Sequence, residues 1–154
     1  MNRIDFNKYN RILGISTGIL SFVVFALTVE PTASYWDCAE YISTSAKLQI
    51  GHPPGAPLFQ MLGAIFSIFA LELNQIAYAV NMMSVLSSSL TIVFLFWSIS
   101  LIGKEILDLT NSLKIDEAIK VFGSSFLGSI SFTFTDSFWF NAVEAEVYAM
   151  ATLI

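Results

Sequence analysis

The chain has 154 residues, of which 55% are hydrophobic and 12% are charged, and its formal net charge is −5. Soluble domains usually carry about 25% charged residues, so this composition indicates a membrane protein. The acidic balance and the lack of a basic stripe argue against nucleic-acid binding, and the single cysteine, Cys38, excludes an internal disulfide framework.

The first membrane-spanning segment is predicted over 12–29, an apolar run without a charged residue. At about 1.5 Å of rise per residue, a helix of this length reaches about 27 Å, close to the thickness of the hydrocarbon core of a bilayer. Arg3, Lys8 and Arg11 precede the run, so the positive-inside rule predicts a cytoplasmic N-terminus. A cleaved signal peptide is the alternative interpretation, although its best cleavage site, at 32–34, is poor.

The segment after this run carries an unusual mixture of polar and tight-turn residues. A helix is predicted over 35–48, because Ser34 can cap it and Asp37 follows in capping-box spacing. The sequence Gly-His-Pro-Pro-Gly then predicts a rigid, extended turn, since proline fixes φ and disfavours helix in the residue before it. This turn places His52 just before a second helix, predicted at 57–71.

Two further spans are predicted, over 76–102 and over 118–140. Three lysines lie within or just after the loop 103–117, which is therefore predicted to be cytoplasmic, like the N-terminus. An even number of crossings must separate two segments on the same side. The apolar stretch 57–71 is accordingly predicted to be an interfacial or re-entrant helix within an outer loop, 30–75, rather than a span.

This topology sorts the charged residues by membrane face. Six of the seven Lys and Arg residues fall on the cytoplasmic side. Two segments distant in sequence, 30–56 and 136–148, bring carboxylates to the outer face. The ionisable residues predicted there are Glu30, Asp37, Glu40, Glu72, Asp136, Glu144 and Glu146, together with Lys47 and His52.

Asp37 and Glu40 are the leading candidates for chemistry, because a carboxylate at the edge of an apolar environment can have a tuned pKa and can accept a proton from a hydroxyl. The alternative is a pair of ordinary solvated acids on an interfacial helix. His52 can contact an anionic phosphate or ligate a metal ion, or it can merely cap a turn. The chain has no second histidine, so the metal signal is weak.

The stretch 141–150 offers a second group of candidates. Glu144 and Tyr148 share a helical face, and Glu146 lies on another face. In one interpretation, these residues and Asn141 form a second acidic wall for the pocket that contains Asp37 and Glu40. In the other, the glutamates are acids near a helix N-terminus, where the helix dipole favours negative charge. An apolar run that starts near 146 predicts the beginning of a further span, and its abrupt end suggests a fragment of a longer protein.

The sequence from Thr28 to Phe59, TVEPTASYWDCAEYISTSAKLQIGHPPGAPLF, together with the later NAVEAEVYA, resembles a bacterial membrane-protein family described as a domain of unknown function. That family is similar to GT-C glycosyltransferases and to protein O-mannosyltransferases, which carry an acidic motif and a His-Pro-Pro turn in the first outer loop. Ala39 stands where many relatives carry Gly, which leaves the acids intact.

The resemblance implies an all-α, polytopic GT-C-like module in the bacterial inner membrane, with its active face periplasmic. The donor would be a polyprenyl-phosphate sugar, and the acceptor a protein, lipid or glycan hydroxyl. Asp37 would act as general base, supported by Glu40, and His52 and Lys47 would balance the charge of the lipid phosphate. Trp36 is a further candidate contact to substrate, and membrane lipids are expected partners.

No cofactor is assigned with certainty, and a divalent metal ion is left open. The competing class is a non-enzymatic membrane protein, either a transporter subunit or a scaffold of an envelope complex. In such a protein the outer acids would bind cations or a partner, and His52 would be structural.

Overall fold

The computed structural model describes residues 3–154 and is mostly helical. The chain divides into two compact units, one formed by the residues up to Ser21 with Leu90–Thr135, the other by Phe22–Ser89 with Asp136–Ile154. In chain order the elements are β1 (Ile4–Asp5), α1 (Phe6–Thr28), α2 (Cys38–Lys47), α3 (Pro57–Ser67), a 3-10 helix (Leu73–Gln75), α4 (Ile76–Ile106), β2 (Ser112–Leu113), α5 (Ile115–Thr133), α6 (Asp136–Val143) and α7 (Val147–Ala151).

Two helices in the described part of the chain are long and apolar enough to cross a membrane. One is α1, with 23 residues, and the other runs over Leu73–Ile106, with 34 residues, when the 3-10 turn is counted with α4. They cover residues 12–28 of the predicted span 12–29 and all of the predicted span 76–102. Helix α5 does not meet the same criterion, because Asp116, Glu117 and Lys120 occupy its first two turns.

A short antiparallel sheet joins the start of α1 to the loop after α4. Ile4 pairs with Leu113 and Asp5 with Ser112, and the buried Phe6 packs against Phe122 with ring centroids 5.6 Å apart. The N-terminal segment and the loop 103–117 are therefore in direct contact. If α1 and α4 both cross a membrane, these two segments lie on the same side of it.

The second unit contains a hydrophobic core in which α2 and α3 pack together. Its most buried members include Cys38 and Phe59 from these helices and Val80 from α4. A Cβ atom on Gly63 would lie 2.5 Å from Ser45 Oγ, so glycine is needed for the close approach of α3 to α2. The position of α2, which carries the acidic candidates, depends on this contact.

Helix α3 is too short to cross a bilayer. It has 11 residues, which reach only about 16 Å against the roughly 30 Å of a hydrocarbon core. Leu58, Met61 and Ile65 are exposed on its surface. The length and this apolar face fit an interfacial helix, as predicted for 57–71, although α3 ends at Ser67.

The predicted start of the first outer helix is wrong. Helix α2 begins at Cys38 rather than at residue 35, because Trp36 has the left-handed φ of 62°. Asp37 is the N-cap residue, but its side chain makes no capping hydrogen bond. Ser34 does not cap the helix either, because its hydroxyl donates to the carboxylate of Glu144.

A single helix over 118–140 is also wrong. Helix α5 ends at Thr133 and α6 begins at Asp136. At the break the hydroxyl of Thr135 donates to the carbonyl of Phe132, 2.8 Å away, and Asp136 occupies the first turn of the new helix. Side chains of this kind compete with the helix for its own backbone groups, which explains why the apolar pattern runs on while the helix does not.

A buried amide holds the segment that follows α1. Asn81, fully buried on α4, donates from Nδ2 to the carbonyl of Glu30 at 2.6 Å and to that of Thr32 at 3.0 Å. The backbone N–H of Glu30 in turn donates to the carbonyl of Val143, 3.0 Å away. The chain between α1 and α2 is thus tied to both α4 and α6.

We expect Asn81→Ala to lower the free energy of unfolding by about 1–3 kcal/mol, because it removes a buried amide that donates two part-buried hydrogen bonds. Ser89→Ala on the same helix is the control, since Ser89 bonds only to the Val85 carbonyl of its own helix. Thermal unfolding in detergent measures both variants. Equal melting temperatures for the two would contradict the role given to Asn81.

Candidate functional site

Three predicted site residues form one cluster. The backbone N–H of His52 donates to Glu40 Oε1 at 2.6 Å, and its ring Nδ1–H donates to Glu40 Oε2 at 2.9 Å. The other ring nitrogen, Nε2, lies 3.8 Å from Asp37 Oδ2. Glu40 is therefore paired with His52, whereas the Asp37 side chain is 56% exposed.

The turn after α2 sets the position of His52. The backbone N–H of Gly55, whose φ is 77°, donates to the carbonyl of His52 at 2.8 Å, and the Pro53–Pro54 peptide bond within the turn is cis. A Cβ on Gly51 would lie 3.1 Å from Glu40 Oε1 and 2.8 Å from Gln60 Nε2. Glycine at this position leaves room for the Glu40 carboxylate.

Two buried polar side chains, Gln60 and Thr44, hold the backbone of Glu40 in place through hydrogen bonds. Gln60 on α3 donates to Thr44 Oγ1 at 3.1 Å, and the Thr44 hydroxyl donates to the backbone carbonyl of Glu40 at 2.8 Å. Gln60 and Thr44 are both buried, so these bonds are protected from competing water. The turn of α2 that carries Glu40 is therefore fixed by α3.

The cluster shifts the ionisation of its members in opposite directions. The hydrogen bond and negative charge of Glu40 raise the pKa of His52, with a smaller effect from the Asp37 charge. The pKa of Glu40 is lowered, chiefly because the His52 backbone N–H donates to it and then because of the ring. Protonated His52 beside ionised Glu40 is the favoured state.

The two shifts define the pH window in which the pair stabilises the fold. The contribution of His52 is fully present below its unfolded pKa of about 6.5, and it is lost as the pH rises through the raised folded pKa. The contribution of Glu40 is present above its unfolded pKa of about 4.3, and it is lost as the pH falls through the lowered folded value.

A cavity of about 460 Å³ lies beside this cluster and includes Asp37. Its lining combines aromatic rings with carboxylates and one amide from two distant segments: Tyr35, Trp36, Asp37, Phe140, Asn141, Glu144, Glu146 and Tyr148. The predicted second acidic wall therefore faces the same space as Asp37. Burial, followed by the charges of Asp37 and Glu144, raises the pKa of Glu146.

The predicted site residues lie in the cluster, in the lining of the cavity, or, for Lys47, in neither. Glu40 and His52 form the cluster, the residues of the acidic wall line the cavity, and Asp37 belongs to both. Trp36 lines the cavity. Lys47 is exposed at the last turn of α2 and is not among the lining residues.

Several residues that build the site escaped the sequence analysis. Ser34, Gln60 and Asn81 position it through hydrogen bonds, and Phe140 lines the cavity. An asparagine within an apolar span is an informative signal, because a polar side chain there needs a partner. Ser34, Gln60 and Phe140 give no comparable signal, since their roles depend on contacts across the fold.

The cluster also has the donor set of a metal site. One ligand atom each from Asp37, Glu40 and His52 lies within 4.8 Å of the others. Two carboxylates and an imidazole suit several divalent ions, and these three residues would hold such an ion.

These features define a helical membrane protein whose site combines acidic and aromatic residues from α2 and the preceding loop with residues of the segment 140–148. Residues 37–154 match the family described as the Protein O-mannosyl-transferase TMEM260 N-terminal domain. The chain belongs to this family, which confirms the resemblance to protein O-mannosyltransferases.

Two relatives carry the same name. Protein O-mannosyl-transferase tmem260 of Dictyostelium discoideum is 26% identical over 129 residues, which are 83% of this chain and 14% of that protein. Protein O-mannosyl-transferase TMEM260 of Mus musculus is 32% identical over 76 residues, 49% of this chain and 11% of that protein. The chain thus spans only a small part of either relative. No solved structure matches it.

We expect Glu40→Gln to lower the pKa of His52 toward its ordinary value, because the charge and the best hydrogen-bond acceptor of the ring are lost. Titration of the imidazole by NMR measures this pKa, and the signal is unambiguous because the chain has one histidine. Glu72→Gln, in the segment between α3 and α4, should leave the pKa of His52 unchanged. A His52 pKa that is the same in the unaltered protein, in Glu40→Gln and in Glu72→Gln would disprove the coupling between Glu40 and His52.

Proposed function

We propose that the chain forms the N-terminal part of a membrane glycosyltransferase that moves a mannosyl group from a polyprenyl phosphate to a hydroxyl of a protein acceptor. Family membership supports this proposal, since both relatives are named as protein O-mannosyl-transferases. The observation that carries it to particular residues is the position of Asp37, which lines a cavity and lies 3.8 Å from the His52 ring.

Asp37 acts in this proposal as the general base. Its side chain is 56% exposed, so an incoming hydroxyl can reach it. The acceptor oxygen forms a bond to the anomeric carbon, and the bond from that carbon to the phosphate oxygen breaks, with its electron pair leaving on the phosphate. The hydroxyl proton passes to Asp37, and the configuration of the sugar inverts.

His52 and Glu40 serve the leaving group. A protonated His52 offers positive charge and a donor to the departing phosphate, and Glu40 keeps the ring protonated and oriented. Lys47, in the last turn of α2 and outside the cavity lining, would add a second positive charge for the lipid phosphate. These groups stabilise charge that develops during the transfer, where electrostatic help is worth most.

The architecture in this proposal is a GT-C-type module. Helices α1, α4 and α5 would be its spans, α2 and α3 its juxtamembrane helices, and a further span would begin near residue 146. The site would face the outer side of the membrane. The resemblance implies the bacterial inner membrane, whereas the two relatives named above come from eukaryotes.

Asp37→Asn tests the general base. We expect kcat for sugar transfer from a polyprenyl-phosphate mannose to fall by about 10²–10⁴-fold, because the amide cannot accept the proton. Transfer is measured with the full-length protein in detergent or vesicles. Asp108→Asn is the matched control, since Asp108 has a φ of 48° that asparagine also tolerates.

The control should keep near-normal turnover. Equal turnover of the Asp37→Asn variant would remove Asp37 from the catalytic role. A fall in affinity for the donor with kcat unchanged would assign Asp37 to binding instead.

Cysteine labelling tests the membrane orientation. We expect a membrane-impermeant maleimide to label Ser43→Cys in intact cells and Glu105→Cys only after the cells are opened, since α1 and α4 would carry these residues to opposite faces. The unaltered protein is the control, because its Cys38 is buried. The reverse pattern would invert the orientation, and labelling of both variants in intact cells would exclude the two-span arrangement.

A further inference from the structure

We propose that the cavity beside Asp37 binds the neutral pyranose ring of the sugar donor, and that Trp36 is the platform on which the ring stacks. This inference rests on the proposed transferase function and deepens it, by separating the place of the sugar from that of the phosphate. The volume of about 460 Å³ lies within the range of about 300–1,000 Å³ found for small-molecule sites.

The lining of the cavity matches the chemistry of a pyranose. A sugar ring presents C–H groups on its faces and hydroxyl donors around its rim. Tyr35, Trp36, Phe140 and Tyr148 offer aromatic faces for the C–H groups. Three carboxylates and the amide of Asn141 offer acceptors for the hydroxyls, and a charged acceptor makes the stronger hydrogen bond.

The charge of the cavity excludes the phosphate from it. The lining includes Asp37, Glu144 and Glu146 and no basic residue, so a phosphate placed there would meet like charge. Positive charge is available instead at His52, which lies 3.8 Å from Asp37 and is not among the lining residues. The anomeric carbon, which joins sugar to phosphate, would then lie next to Asp37, as the transfer requires.

The backbone of Trp36 is an independent sign of function. A left-handed φ of 62° is uncommon for a large side chain and costs free energy that glycine or asparagine would avoid. Trp36 is nevertheless 94% exposed, so burial of the indole does not offset this cost. A bound ring that covers the indole would account for both observations.

The test measures binding of methyl α-mannopyranoside to the full-length protein by ligand-observed NMR and calorimetry, without any lipid donor. We expect saturable binding that Trp36→Ala weakens by about fivefold to tenfold, as loss of an aromatic contact predicts, and that Trp36→Phe largely restores. Ile50→Ala is the matched control, because Ile50 is equally exposed at 94% and does not line the cavity. Glu146→Gln provides a second variant within the cavity.

The outcomes separate this inference from the proposed function. Absence of saturable sugar binding, or binding that neither Trp36→Ala nor Glu146→Gln weakens, would overturn the inference even if transfer is observed. Tighter binding of tetramethylammonium than of the sugar would reassign the cavity to a cation. Sugar binding that depends on Trp36 in a protein without transferase activity would support the cavity and refute the transfer.

A competition experiment identifies whether the sugar ring in the cavity belongs to the donor or to the acceptor. If transfer is active, methyl α-mannopyranoside should inhibit it competitively with the polyprenyl-phosphate donor. Competition with the protein acceptor instead would show that the sugar occupies the acceptor's place, and would overturn the assignment of the cavity to the donor.

Discussion

The buried amide of Asn81 is the interaction on which the site depends. Its two hydrogen bonds hold the carbonyls of Glu30 and Thr32 against α4, and the chain can then continue through Ser34 to Asp37. Because an amide buried in an apolar helix is costly unless both donors are used, the arrangement is specific as well as stabilising.

The second constraint is the scarcity of positive charge around the site. Seven acids lie in the segments 30–75 and 136–148, with only Lys47 and His52 as basic residues. The fold uses His52 where it has most effect, between Glu40 and Asp37. The cavity lining holds Glu144 and Glu146 beside Asp37 and no basic residue, and burial, followed by the charges of Asp37 and Glu144, raises the pKa of Glu146. The result is a site with two sides of different charge, with Asp37 shared between them.

The residues that line the site could be predicted from the sequence more accurately than the helix bounds of the backbone that carries them. The two apolar runs that become α1 and α4 are visible from composition alone, because a span needs about 20 apolar residues whatever its neighbours are. The turn at His52 is equally local, since proline fixes it. The charge pattern also indicated that 30–56 and 136–148 share a face, and the cavity brings Asp37 and Glu146 together.

The errors arose where tertiary contacts override local preference. Ser34 has the spacing of a helix cap, yet its hydroxyl bonds to Glu144, a residue that no local pattern relates to it. The sequence predicts that Trp36 is part of a helix, but its left-handed φ places it before the start of α2. The break between α5 and α6 lies within a continuous apolar pattern, and hydrophobicity alone cannot locate a change of direction.

The short helix α3 would give the site a fixed depth in the membrane if α3 is the juxtamembrane helix proposed above. Its exposed leucine, methionine and isoleucine side chains suit the boundary between water and lipid tails, while its inner face holds α2 through Gln60 and Gly63. A helix lying flat at that boundary would keep Asp37 and His52 at the height of lipid headgroups. A lipid-linked substrate would then reach them by diffusion within the plane of the bilayer, a search in two dimensions that never requires its hydrocarbon chain to enter water.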